Sequence, residues 1–382
     1  MCVIPRWSVR FDPTPPHADP DVALLLARID ALGWVLDGLP LPPGLRERLN
    51  RINVARAVRG TIGIEGTHLT EAETGEILDS PGPVLGPERA REEQEARNAA
   101  DVMRFIAASL AGDPGQALTE ELVREIHFRT TRGIDYPHNT PGRYRDHGVS
   151  VGTYFAPDAD DVPRLMREFV AWLRSGPARG WPAAIRAIAA HFHLVSIHPF
   201  GDGNGRTSRA VESFFLYQAG INRLGFYSLA NFYYRQRPEY IEMLDQTRFV
   251  HQGDLTEFAR FALAGLRDEF EHVQREAIAE LNRIAFELHA REALRASRSL
   301  RSAVRERRLN LALEAAAGPI PVGELLDGTH RAARFYRRRG SRTIYRDIEY
   351  LTAAGLIVVK RDVIEANLDV AGPPAADPFP SP

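Results

Sequence analysis

Ile197-His-Pro-Phe-Gly-Asp-Gly-Asn-Gly-Arg-Thr-Ser-Arg209 decides how the rest of this 382-residue chain reads. The stretch combines a titratable base (His198), a hard-metal ligand (Asp202) and two glycines, Gly203 and Gly205, flanking Asn204. Arg206 and Arg209 complete it. Glycines let backbone amides approach an anion without side-chain obstruction. A helix opening near Gly205 would add the positive end of its dipole, which favours phosphate. Arginines three residues apart share a helical face, and their forked guanidinium groups bridge phosphate oxygens where lysine supplies a point charge. A lone carboxylate suits Mg2+, which completes its shell with phosphates and water. Histidine accepts a proton near neutral pH, as activation of a hydroxyl nucleophile requires. Gly-Asn-Gly alone reads as a tight turn; the whole combination reads as phosphate chemistry directed at a hydroxyl.

Outward from the loop, apolar residues recur mostly at helical spacing. Helices are expected over Asp21 to about Gly66 (two, broken by Gly38 to Gly44), Glu88–Leu110, 119–130, Asp161–Leu173, Pro182–Ile197 and from about Gly205. Thr119 before Glu120 and Glu121 is a plausible helix start. Pro141 to Pro157, punctuated by Gly142, Gly148 and Gly152, is the hairpin candidate. Asn222 to Tyr240 is aromatic-rich, and a long helical stretch follows to about Leu300. Within it Phe270, Val273, Ala277, Leu281, Ile284 and Leu288 form one stripe, expected as core or packing seam. His191 and His193 project to different faces of one helix, so packing or local hydrogen bonding is expected of them rather than chelation. Residues 1–20 read as irregular.

The length implies two or three domains. Net charge is −2, but residues 291–362 hold 16 Lys+Arg against 8 Asp+Glu, which concentrates basic charge near the C-terminus. Cys2 is the only cysteine, which excludes a disulfide framework. No apolar run approaches the roughly 20 residues that span a bilayer. The expectation is a soluble, cytoplasmic protein with no membrane partner.

His198 to Arg209 fits the Fic family pattern H-x-F-x-[DE]-G-N-G-R-x-x-R at every fixed position. The resemblance implies a mainly α fold, a Fic-type helical bundle with a β-hairpin flap, that transfers AMP from Mg-ATP to a protein Ser, Thr or Tyr hydroxyl. By that resemblance His198 is the general base, Asp202 the Mg2+ ligand, Gly203, Asn204 and Gly205 the phosphate cradle, and Arg206 and Arg209 the clamps on the outer phosphates. Members that phosphorylate instead carry lysine where Gly205 stands, so the chain looks like an AMP transferase. Gly142-Arg-Tyr-Arg145 followed by Val149, Ser150, Val151 and Gly152 is similar to the flap, whose strand edge could align a target by β-augmentation. Gln236-Arg-Pro-Glu-Tyr240-Ile241 resembles the segment near the adenine, with Ile241 in place of a tyrosine; Tyr240 could equally be a core aromatic. Thr61-Ile-Gly-Ile-Glu65-Gly66 fits the inhibitory pattern [ST]-x-x-x-E-[GN], which implies that Glu65 pairs with Arg209 and withdraws it from the γ-phosphate. Glu65 could also orient water for removal of AMP.

Ser341 to Leu351, with Ile344, Ile348 and Leu351 as a core stripe, resembles the recognition helix of a winged helix-turn-helix. Ser341 reads as its cap and Gly355 as its stop before a β-like Leu356 to Val359. Helices around Arg305–Ala316 and Val322–Leu326 precede it. Arg342, Thr343, Tyr345 and Arg346 would face a groove, and Arg331, Arg334 and Arg337 to Arg339 would meet phosphates. Dimerisation or partner docking is the competing use of such a module.

The expected organisation is an N-terminal helical region with the inhibitory motif (1–115), a catalytic core (116–270), a connecting helix (271–300), a winged-helix-like domain (301–370) and a disordered tail (371–382). The expected function is auto-inhibited protein adenylylation. The alternative is a DNA-binding regulator whose Fic portion senses nucleotide. A protein substrate, ATP, DNA and a second copy of the chain are the candidate partners.

Overall fold

The structure is a computed structural model and describes residues 7–11, 14–221, 229–296 and 301–371. The expectation for 372–382 and parts of those for 1–20, 222–240 and 271–300 lie outside these residues. Two compact units divide the chain, Met1–Gln274 and Arg275–Pro382.

In the first unit, caps and prolines set the early helix starts. The Asp19 carboxylate accepts the Asp21 and Val22 amides at the head of α1 (Pro20–Gly38), and α2 (Pro43–Ile64) opens with proline in its first turn. A capping box between Thr70 and Glu73 starts α3 (Glu71–Asp79). This helix was not expected, although Thr70-Glu-Ala-Glu73 carries its signal. Next come α4 (Ala90–Gly112) and α5 (Glu120–Thr131), whose Thr119 cap accepts from Leu122 N–H. The hairpin is shorter than expected: β1 (Ser150–Val151) pairs antiparallel with β2 (Tyr154–Phe155) across Gly152, which takes a φ of 57°. Then follow α6 (Val162–Leu173), α7 (Gly176–Arg179), α8 (Ala183–Ile197), α9 (Asn204–Gln218), α10 (Leu229–Arg235) and α11 (Arg237–Phe249).

A helix apolar on nearly all sides belongs at the centre of a bundle. That helix is α8: from Ala184 to Ile197 every residue except Arg186 is buried. It packs along α9, and the loop from His198 to Gly203 joins them. Helix α2 lies against α10 at unusually short range, because a side chain at Gly60 would come within 2.7 Å of the Ala230 carbonyl oxygen.

Helix α12 (Thr256–Ala296) contributes residues to both units. Its expected stripe is buried only at Phe270, Val273 and Ala277; Leu281 is half-buried, and Ile284 and Leu288 are exposed. Beyond that point the buried face becomes Phe286, Ala290 and Leu294. Apolar spacing marks a potential face, and burial depends on which neighbours cover it.

The second unit continues with α13 (Ser302–Ala317), β3 (Ile320–Pro321), α14 (Val322–Asp327), α15 (Ser341–Ala353), β4 (Ile357–Lys360) and β5 (Val363–Ala366), the strands ordered β3-β5-β4. Ile344, Ile348 and Leu351 are buried, and Gly355 takes the left-handed turn expected of it. Ser341 is not the cap. Gly340 holds that position, no side-chain hydrogen bond is made there, and Ser341 is the first helical residue. Asp347, fully buried, is held by Arg307 at 2.7 Å and Arg308 at 2.8 Å.

Candidate active site

The loop between α8 and α9 holds an unusual backbone by specific means. His198 has a φ of 51° and Gly203 one of 73°. Asn204 works as a brace: its Oδ1 accepts the Phe200 amide at 2.9 Å and its Nδ2 donates to the Phe200 carbonyl at 2.8 Å. The Asn204 side chain is therefore spent on the loop, which leaves only its backbone for the expected phosphate cradle.

Burial lowers the His198 pKa to about 4, so the ring is neutral near pH 7. Its Nδ1 lies 3.2 Å from the Val195 carbonyl oxygen, which can only accept, so Nδ1 carries the proton. Nε2 is then left with the lone pair.

Two further residues hold this loop to the flap: Arg145, given no role of its own in the flap-like segment, and His127, not singled out from the sequence. Buried Arg145 donates to the carbonyls of His198 at 2.8 Å, His147 at 2.8 Å and Pro157 at 2.6 Å. His127 stacks on Phe200 with ring centroids 3.7 Å apart. Its Nδ1 accepts the Gly142 amide at 2.9 Å, so Nε2 is the protonated nitrogen and donates to the Asp202 carbonyl, also at 2.9 Å. Burial lowers the His127 pKa to about 4, which suits a neutral bridge. The only local signal for His127 was its place on the amphipathic α5, which equally describes an ordinary core residue.

The two arginines diverge. Arg206 donates from Nη2 to Asp202 Oδ2 at 3.0 Å, and its Nη1 stands 3.5 Å from Glu95. Its Nε and Nη1 are buried without a hydrogen-bond partner among the described residues. Arg209 turns to α2, giving Nε to Thr61 Oγ1 at 3.0 Å and Nη2 to Thr61 O at 2.9 Å and to Glu65 Oε1 at 2.6 Å. Burial works against charge on both members of the pair. The Arg209 and Arg206 cations nevertheless hold the Glu65 carboxyl below the usual range, and Glu65 keeps Arg209 above its own. A side chain at Gly205 would collide with the Glu65 carboxylate.

Tyr240 lies in the core, 3% exposed, stacked on Tyr233 with its hydroxyl 2.9 Å from His191 Nε2. Its ring faces are enclosed, so its link to the site is through the hydroxyl and Arg209 rather than as a stacking platform. Ile241 beside it is exposed. His191 also meets Glu212 at 3.0 Å, while His193 is buried with neither ring nitrogen bonded among the described residues. Packing and hydrogen bonding, as expected, account for both. At the flap Val151 and Phe155 are exposed, and Tyr154 anchors β2 by donating to the Ser196 carbonyl at 2.6 Å.

Residues 117–216, which contain α5, the flap, α8, the loop and most of α9, match the Fic/DOC family model. That segment is a Fic-type domain. The chain is 33% identical over 201 residues to the protein adenylyltransferase Fic of Drosophila ananassae, covering 53% of this chain and 38% of that protein. The Drosophila melanogaster protein of the same name is 30% identical over 236 residues, 62% of this chain and 45% of the relative. The chain thus spans less than half the length of these relatives. Fic-1 from C. elegans superposes with a TM-score of 0.58 at 27% identity, over 68% of this chain and 74% of that structure. A Fic family protein from Desulfovibrio desulfuricans shares the fold over 92% of this chain and 98% of its own, with a TM-score of 0.56 at 22% identity. No helix among the described residues is long and apolar enough to cross a membrane.

Proposed function

We propose that this Fic domain is a protein adenylyltransferase held in check by Glu65. The observation that carries the reading is a neutral, half-buried His198, its Nε2 left with the lone pair, on the same loop as Asp202 and two buried arginines. In the proposed step a target hydroxyl oxygen forms a bond to the α-phosphorus of ATP. The bond to the β-phosphate oxygen breaks, pyrophosphate leaves, and His198 Nε2 takes the hydroxyl proton. Backbone amides opening α9 and the unbonded Nε and Nη1 of Arg206 suit phosphate oxygens. Asp202, whose carboxylate meets Arg206 at 3.0 Å, is the residue that would hold Mg2+, which when bound would neutralise phosphate charge.

Glu65 supports inhibition because it takes the Nη2 of Arg209 that a γ-phosphate would need. The exposed edge at Val149 to Gly152 supports target alignment by strand pairing. Incubation with ATP labelled at the α- or γ-phosphate tests the reaction: α-label on protein supports AMP transfer, and γ-label alone overturns it.

A second reading concerns the C-terminal unit. Arg337 to Arg339, Arg342, Tyr345 and Arg346 are exposed along α15 and the turn before it, which suits a duplex. Arg331 and Arg334 fit this less well, since both pair with Glu314 at 2.6 Å. Salt-sensitive gel shifts would support DNA contact; no shift with any duplex at low salt would remove it.

A further inference from the structure

At the end of the α8–α9 pair opposite the loop, a cleft of about 470 Å³ opens among Arg174, Arg179, Arg186, Phe215, Gln218 and the Pro114–Leu118 backbone. Three cations line it and no carboxylate does. Among the described residues none of the three has an ion-pair partner, in a chain where arginines are otherwise widely paired. Arg186 is the only half-buried position on the otherwise buried stretch of α8. Its guanidinium lies 5.0 Å from the Phe215 ring centroid, and its Nε is buried without a partner. Burial and the neighbouring Arg179 charge both disfavour its cationic form. Gln218 fixes the opposite wall by donating to the carbonyls of Gln116 at 2.7 Å and Pro114 at 3.3 Å.

Like charges gathered in a cleft without counter-charge cost free energy that a bound anion would recover. The volume falls within the roughly 300–1,000 Å³ of small-molecule sites. Planar forks lining one cleft suit the tetrahedral oxygens of phosphate. Arg186 and His198 stand twelve positions apart along α8 and its C-terminal cap, a rise of about 18 Å, so the cleft is distinct from the candidate active site.

We propose that this arginine cleft binds a small phosphate-bearing ligand at a second site, remote from the nucleotide. The site takes free phosphate or a phosphate monoester, with Arg186 as the partly buried anchor and Arg179 and Arg174 closing on the exposed oxygens.

The test is calorimetric titration of the full chain with inorganic phosphate and with glucose 6-phosphate, using glucose as the uncharged control. Binding is expected in the wild type and in Arg209→Gln, weakened at least tenfold in Arg179→Gln and Arg186→Gln, and partly restored in Arg186→Lys. Without ligand, Arg179→Gln is expected to melt no lower than the wild type because repulsion is relieved, which separates lost binding from lost folding. Equal binding by all variants, loss confined to Arg209→Gln, or no binding up to about 10 mM, weaker than a millimolar site, overturns the proposal. So does binding of poly-glutamate with neither phosphate compound bound.

Discussion

Arg209 Nη2 lies 2.6 Å from Glu65 Oε1, and the same guanidinium holds both the side chain and the carbonyl of Thr61. The residues are 144 positions apart, so only the folded chain brings the end of α2 onto the proposed phosphate clamp.

Releasing this contact is expected to raise activity. Charge-assisted hydrogen bonds contribute about 1.5–3 kcal/mol, so Glu65→Gly should increase self-modification by about tenfold or more. α-Labelled ATP and gel autoradiography measure it. Equal labelling of variant and wild type at saturating Mg-ATP would remove Glu65 from regulation.

His198→Ala is expected to abolish transfer while leaving the melting temperature near that of the wild type. Because burial places the His198 pKa at about 4, the base is already neutral at pH 6. The rate of Glu65→Gly should therefore stay level from pH 6 to 8 with respect to this group and fall as pH drops toward 4. An inflection near 6.5 belonging to His198 would contradict the half-buried, neutral ring.

Arg145→Lys should cost about 10- to 100-fold in transfer and leave ATP binding nearly intact. A lysine cannot span the three carbonyls of His198, His147 and Pro157 that one fork now joins. If ATP affinity fell as far as the rate, Arg145 would be holding the nucleotide site as a whole rather than joining loop to flap.

Stability should fall on acidification. His127 and His198 have pKa values lowered to about 4 and His193 to about 3, all chiefly by burial. Below the unfolded value near 6.5 the unfolded chain binds more protons than the folded one, so stability decreases as pH falls from 6.5 toward 4. Each group contributes up to about 1.4 kcal/mol per pH unit in that window. His193→Leu should flatten the slope in urea melts at pH 7 and 5, since among the described residues His193 has no hydrogen bond to lose. An unchanged slope would mean that His193 is not buried neutral.

The helices, the hairpin and the loop were legible because each depends on neighbours in sequence: apolar period, caps, and glycine where φ turns positive. Even α3 had its Thr70–Glu73 box in plain view. The roles of His127 and Arg145 were not legible. Their contacts with the loop, at the Asp202 and His198 carbonyls, are 75 and 53 positions away, and residue type alone does not distinguish such a brace from an ordinary buried side chain. Ser341 shows the same limit at short range, where a good capping residue was displaced by one position because Gly340 took the cap.

By itself the sequence determined which groups the loop from His198 to Arg209 brings together, an imidazole, a carboxylate, glycines and two arginines at the head of a helix, since residue type and local spacing suffice for that. Only the tertiary structure decided where Arg209 points, which nitrogen of His198 is free, and where the stripe on α12 stops being covered. Those outcomes depend on burial and on partners brought together across long stretches of chain, and both exist only once the elements are packed.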